Sequence, residues 1–328
     1  MSRRSPWVIG LFCILCPALL SQTPQTPTLQ RQPAGNDTPF RVTVDVELVQ
    51  LPVSVLDKDG RVVAALTKEN FQVLEDKVPQ DITLFKHEDI PISVGLVIDN
   101  SGSMKTKRER VHSAALSFVR ESNPDDETFV IAFDDQAWLQ QDFTSSIGDL
   151  VDALEDLDPR LQTAMHDAIY LGVEHVKKGH LEKKVVLVIS DGEDTESKLT
   201  YQKVLDYVRE SKNVTLYAIG LFDENDTRSG GIFRKSPQKK ATEALTELAA
   251  VTGGRAFFPK TLEEVEAICR QIARELRNQY TLGYNPKNTE KDGTWREVRV
   301  NLVNMPRNVA KPTATTKQGY FAPEGTSN

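Results

Sequence analysis

Apolar residues follow two different periods in three successive zones of the chain. In "RVTVDVELVQLPVSVLDKDGRVVAAL" Val42, Val44, Val46 and Leu48 alternate with polar residues. After Val49 and Gln50 the apolar phase moves to Leu51, Val53 and Val55, which predicts a strand with a bulge or bend. Asp59 and Gly60 predict a hairpin turn between "VSVL" and "RVVAAL", and "FQVLEDKVPQDITLF" predicts a second hairpin. Residues 40–90 therefore read as an N-terminal β segment with too few strands to close a core by itself. From residue 91 onward short continuous apolar runs, "ISVGLVI", "TFVIAF", "KVVLVIS", "VTLYAIG" and "GRAFF", are separated by stretches of helical spacing such as Val111, Ala114, Ala115, Phe118 and Val119. Strands without polar positions need cover on both faces, and the intervening helices supply it. Residues 91–278 are thus expected to be α/β, with a doubly wound, mainly parallel sheet. After Tyr280 the two-residue alternation returns in "YTLGY" and "WREVRVNLV", so residues 279–328 read as a C-terminal β segment. Two half-modules predict one small β-sandwich, in which 279–328 pairs with 40–90 and the α/β domain is inserted between them. The alternative is two separate small modules.

The N-terminus carries a different signal. Arg3 and Arg4 precede "PWVIGLFCILCPALL", an apolar run of about a dozen residues followed by small and polar ones, the layout of a secretory signal peptide over residues 1–21. An uncleaved anchor in the membrane is the alternative reading of the same segment. Residues 22–39 are rich in Pro, Gln and Thr with almost no apolar content, so they are expected to be a disordered tether. The expected location is outside the cytoplasm: secreted, periplasmic or in the cell envelope.

Composition narrows the function classes. With 328 residues, 39% hydrophobic and 27% charged, the chain is long enough for a sizeable core, and its net charge of -7 offers no basic footprint for nucleic acid. Of three cysteines, Cys13 and Cys16 leave with the signal peptide. Cys269 falls on the helical stripe Leu262, Val265, Ile268, Cys269, Ile272, Leu276 and is expected to be a small buried apolar residue.

The candidate chemistry lies where apolar strands stop. "VIDNSGSM" ends the first α/β strand, so Asp99, Ser101 and Ser103 are expected at the carboxyl end of the sheet, where open α/β folds bind ligands. A helix cap would use the same residue types. "KKVVLVISDGEDTES" repeats the arrangement with Asp191, and in the common doubly wound strand order the two strands are neighbours. Two carboxylates at one sheet edge repel unless a cation or a proton lies between them, and the serine hydroxyls add neutral oxygens. Oxygen donors without thiolate or imidazole select a hard cation, so Mg²⁺ is expected, with Mn²⁺ or Ca²⁺ as alternatives.

At these residues the chain resembles the von Willebrand factor A (VWA) domain family, whose fold is Rossmann-like, and in particular its metal-ion-dependent adhesion site. The resemblance implies that Asp99, Ser101 and Ser103 form the DxSxS triplet and that Asp191 is the Asp after the fourth strand. It also implies that Thr163 in "LQTAMHDAI" is the Thr of a separate loop, although Leu161 and Gln162 stand where the family has glycines. "LVQLPVSVLDKDGRVVAALTKENFQVLEDKVPQDITLF", "TGGRAFFP", "IARELRNQYTLGYNP" and "GTWREVRV" further resemble a bacterial subgroup, the VWFA-related acidobacterial domain proteins.

The resemblance implies a divalent-cation-dependent protein-binding or cell-adhesion module that captures a Glu or Asp side chain of a partner protein. No small-molecule substrate and no catalysis are expected. A structural envelope component whose metal only staples loops is the second reading, and a Mg-dependent hydrolase the third. Against the hydrolase, no GxSxG or HExxH is present and Ser101 stands where DxD phosphatases place their acid. "KTKRER" after Met104 is expected to be the exposed face of the first helix, or alternatively the rim of the ligand site. "FDENDTRSGG" lacks the glycine and terminal Glu of a calcium loop and reads as a solvated loop. His166 is expected to pack or face solvent beside the Thr163 motif.

Overall fold

The computed structural model describes residues 48–157, 162–191, 194–222, 237–306 and 311–325. The signal segment 1–21, the tether 22–39, the expected strand positions Val42, Val44 and Val46, Leu161, and residues 223–231 of the acidic loop lie outside the described residues.

In chain order the elements are β1 (Val49–Leu56), β2 (Phe71–Glu75), β3 (Val78–Gln80), β4 (Ile82–His87), β5 (Ile92–Asp99), α1 (Arg108–Glu121), β6 (Glu127–Phe133), β7 (Ala137–Thr144) and α2 (Ile147–Glu155). They continue with α3 (Met165–Val176), β8 (Lys183–Ser190), α4 (Tyr201–Glu210), β9 (Val214–Gly220), α5 (Pro237–Val251), β10 (Ala256–Phe257) and α6 (Leu262–Arg277). The last strands are β11 (Tyr280–Tyr284), β12 (Trp295–Leu302), β13 (Thr313–Thr315) and β14 (Gly319–Phe321).

The middle of the chain forms a six-stranded sheet in the order β10-β9-β8-β5-β6-β7. All its pairings are parallel except β6 with β7. Every residue of β5 is buried, which is why its sequence shows no alternation. One apolar layer packs α1, α2 and α6 on one face of the sheet, and another packs α3, α4 and α5 on the opposite face. Gly172 lets α3 approach the sheet closely, since a Cβ there would lie 2.7 Å from Val97 Cγ2. Cys269 is buried in the first layer, and burial pushes its thiol up to about 12. The strand β7 has no counterpart among the predicted strands. As the edge strand of this sheet it is nowhere fully buried, and its side chains carry no clean period.

The flanking segments combine in two further four-stranded sheets, β13-β1-β11-β4 and β14-β12-β2-β3. Each mixes strands from both ends of the chain, and Leu51, Val53, Phe71, Val73, Tyr280, Leu282 and Val300 share one apolar cluster between them. This is the expected small sandwich. Because β4 and β11 are antiparallel neighbours, the α/β insertion leaves and returns at adjacent positions.

Two strand expectations are corrected. Asp59 and Gly60 do form a turn, with Gly60 at φ +76°, but "RVVAAL" makes only an isolated bridge, Leu56 to Val62. The edges of β1 are taken by β11 and β13 instead. The second hairpin keeps only β2 and β3, joined through Asp76 and Lys77 at positive φ, while β4 crosses to the other sheet. Buried Glu75 accepts hydrogen bonds from the Tyr284 and Tyr320 hydroxyls, both at 2.7 Å, and links strands from the two sheets.

No helix among the described residues is long and apolar enough to cross a membrane.

Candidate metal centre

Asp99 is the last residue of β5 and Asp191 follows the last residue of β8, and these strands are parallel neighbours in register up to Ile98 and Ile189. The carboxyl ends of both strands therefore meet where the sheet order reverses, with β6 on the far side of β5. After Asp99 the chain turns through Ser101 into a 3-10 turn over Gly102–Thr106 and then into α1. That short path holds both serines of the triplet beside the strand ends.

A chain of hydrogen bonds joins four of the five expected ligands. Asp99 Oδ1 accepts from the Ser101 amide at 2.8 Å. The Ser101 and Ser103 hydroxyl oxygens lie 3.1 Å apart, and Ser103 Oγ donates to Asp191 Oδ1 at 2.7 Å. Asp99 and Ser101 are buried whereas Ser103 is exposed, so the cluster is closed toward the sheet and open at Ser103.

Thr163 lies on the same sheet edge by a different route. Its amide donates to Thr195 Oγ1 at 3.2 Å, its carbonyl accepts from the Thr195 amide at 2.9 Å, and Ala164 N donates to the Asp134 carbonyl at 2.6 Å. Thr163 is buried, and among the described residues its hydrogen bonds run to the loop after Asp191 rather than to the triplet or Asp191.

Three contributors were not singled out as site residues in the sequence. Ser190, the last residue of β8, donates to Asp99 Oδ2 at 2.5 Å. Lys107 places its ammonium 2.6 Å from Asp191 Oδ2 and 3.0 Å from the Leu221 carbonyl just beyond β9. One residue of the "KTKRER" run thus enters the site instead of facing solvent, and its neighbour Arg108 donates to Asn100 Oδ1 at 3.0 Å. Asp194 binds the His166 amide at 3.0 Å, and its other oxygen lies 3.1 Å from His166 Nδ1. His166 is therefore packed against the loop, and its imidazole is held by Asp194. The signal for Ser190 was its place one residue before Asp191, and for Lys107 it was the alternative reading of "KTKRER" as the rim of the ligand site.

Burial raises the Asp99 carboxyl to about 6, with the Asp191 charge adding to the rise, against the lowering hydrogen bonds from Ser101 and Ser190. Asp194 moves the other way: hydrogen bonds from His166 and Ser197 hold it below the ordinary carboxylate range despite the opposing effect of burial.

The donor set fits a hard divalent cation. Two carboxylates and two hydroxyls converge through contacts of hydrogen-bond length, all donors are oxygen, and one side is open. Among the described residues no group of three His, Cys, Asp or Glu side chains is placed to hold a metal, so a cation here depends on the serine hydroxyls.

Residues 94–193 match the family model of the von Willebrand factor type A domain. A curated relative, the uncharacterized protein sll0103 of Synechocystis sp., is 28% identical over 138 residues, which is 41% of this chain and 33% of that protein. The chain thus matches about a third of that relative's length. Among solved structures, a von Willebrand factor type A protein from Catenulispora acidiphila aligns with a TM-score of 0.48 at 10% identity, over 86% of this chain and 75% of that one. The vWF domain of the type V pili tip protein Mfa5 from Porphyromonas gingivalis aligns with a TM-score of 0.46 at 14% identity, over 57% and 95%.

Proposed function

We propose that this von Willebrand factor type A domain is an extracytoplasmic, divalent-cation-dependent binding module of the adhesion type that captures a Glu or Asp side chain of a partner protein. Asp99, Ser101, Ser103 and Asp191 are the residues that would hold Mg²⁺, or Mn²⁺ or Ca²⁺, with Thr163 as a further oxygen on the same edge. A bound cation would supply an electrophilic vertex for a carboxylate. The observation that carries this reading is the 2.7 Å contact between Ser103 Oγ and Asp191 Oδ1, which ties the triplet to a carboxylate 88 residues away, just past the end of another strand.

The residues themselves favour binding over catalysis. Both Asp99 oxygens are engaged, one by the Ser101 amide and one by the Ser190 hydroxyl, and the side chain is buried. Asp99 is thereby oriented as a fixed acceptor rather than as a free nucleophile. Exposed Ser103 leaves the open side of the cluster toward solvent, where a macromolecular partner could reach. The charged, apolar and small-residue layout of residues 1–21 supports the extracytoplasmic location.

The test is a pull-down from cell-envelope extract with the wild-type chain in Mg²⁺, the same chain in EDTA, and an Asp99→Ala chain in Mg²⁺. Proteins retained only in the first arm are expected, and equal retention in all three would overturn the proposal. A Ser101→Ala, Ser103→Ala double variant separates binding from loop stapling: capture is expected to be lost while the melting temperature moves by only a few degrees.

A further inference from the structure

Lys107 is the one fixed cation bonded to the centre among the described residues, and the reading above gives it no role. It caps α1, and its side chain is 13% exposed while that of its partner Asp191 is 1% exposed. The Asp191 carboxylate divides its oxygens: Oδ2 faces the ammonium at 2.6 Å, whereas Oδ1 faces Ser103 at 2.7 Å. The Leu221 carbonyl gives the ammonium a second anchor at 3.0 Å, so its position does not depend on what Oδ1 binds. Little solvent reaches the pair, so the charge is weakly screened.

We infer that Lys107 sets the net charge of the centre, holding it at -1 before a divalent cation enters and at +1 afterwards, so that an acidic partner completes a positive centre and is repelled by an empty one. The count follows from Asp99, Asp191 and Lys107. The inference rests on the proposed metal site and adds its regulation: Lys107 weakens cation binding and in return makes partner capture conditional on the cation. Without the ammonium the centre would run from -2 to neutral, with tighter cation binding and no residual positive charge for the partner's carboxylate.

The test uses the full chain stripped with EDTA and titrated with Mn²⁺ alone, free Mn²⁺ being read by electron paramagnetic resonance at pH 7.5. Lys107→Met is expected to bind Mn²⁺ at least tenfold more tightly than wild type, about 1.4 kcal/mol. Lys107→Arg, which keeps the charge, should stay within threefold, and Asp99→Asn should bind none. Lys107→Gln carries the same expectation as Lys107→Met if circular dichroism shows the Met variant unfolded. Unchanged or weaker Mn²⁺ binding without the charge, with Asp99→Asn still inactive, overturns the role of Lys107 and leaves the site intact. Mn²⁺ binding by Asp99→Asn at wild-type affinity overturns the site itself. At saturating Mn²⁺ the relaxation enhancement of acetate methyl protons should fall at least threefold in Lys107→Met, and equal enhancement would refute the partner half of the inference.

Discussion

Replacing Asp99 with Asn should stabilise the cation-free protein at neutral pH while removing its response to Mg²⁺. In the folded chain the Asp99 carboxyl titrates near 6 instead of its ordinary 3.8, first because it is buried and then because Asp191 is close. A carboxyl that holds its proton more tightly folded than unfolded adds no penalty below pH 3.8. The penalty grows between 3.8 and 6 and is complete above 6. At 1.36 kcal/mol for each pH unit it reaches about 3 kcal/mol at pH 7.5. Asn keeps the shape and an acceptor for the Ser101 amide, and the Ser190 hydroxyl can turn to accept from the new amide. The Asp99→Asn protein in EDTA should therefore gain about 3 kcal/mol over wild type at pH 7.5 and only a few tenths at pH 4. Amide hydrogen exchange in β5 and β8 reads this directly, because these strands lie at the centre of the six-stranded sheet and open only with it. Their amides should exchange about 100-fold more slowly in the variant at pH 7.5 and within about threefold of wild type at pH 4. Added Mg²⁺ should slow exchange in wild type and leave the variant unchanged. Equal exchange of the two proteins in EDTA at pH 7.5, or faster exchange in the variant, would show that the ionised Asp99 is already compensated and would refute the argument.

Glu75→Ala should cost the sandwich about 3 kcal/mol in urea denaturation, because two tyrosine hydroxyls, that of fully buried Tyr284 among them, lose their shared acceptor; a loss under 0.5 kcal/mol would mean that water replaces it. The Cys269 thiol, pushed up to about 12 by burial, should resist iodoacetamide at pH 8 in the folded chain and react once the chain is unfolded in urea. Fast labelling of the native protein would contradict its place in the core.

Local pattern and tertiary choice divide cleanly along this chain. The length of each apolar run and the helical spacing between runs are properties of neighbouring residues, so the five strands from β5 to β10 other than edge strand β7, the stripe on α1 and the burial of Cys269 were legible in the sequence by itself. The same local rule placed Asp99 and Asp191 at strand ends, because Asp99 directly follows an apolar run and Asp191 follows one after the single residue Ser190. What a run pairs with is not local. The segment "ITLF" reads as the second arm of a hairpin, yet β4 pairs with β11, nearly 200 residues later, because that strand closes the sheet at the point where the insertion returns. Lys107 looks like any residue of a charged helix face until α1 is docked, when its ammonium falls between the ends of β8 and β9. Ser190 likewise gains its role from the neighbouring strand. The sequence thus determined which oxygens stand at the edge of the sheet, and only the packing of strands and helices decided which of them touch and which cation already lies among them. Backbone periodicity is written over a few residues, whereas electrostatic partnership depends on distances that exist only after the chain has folded.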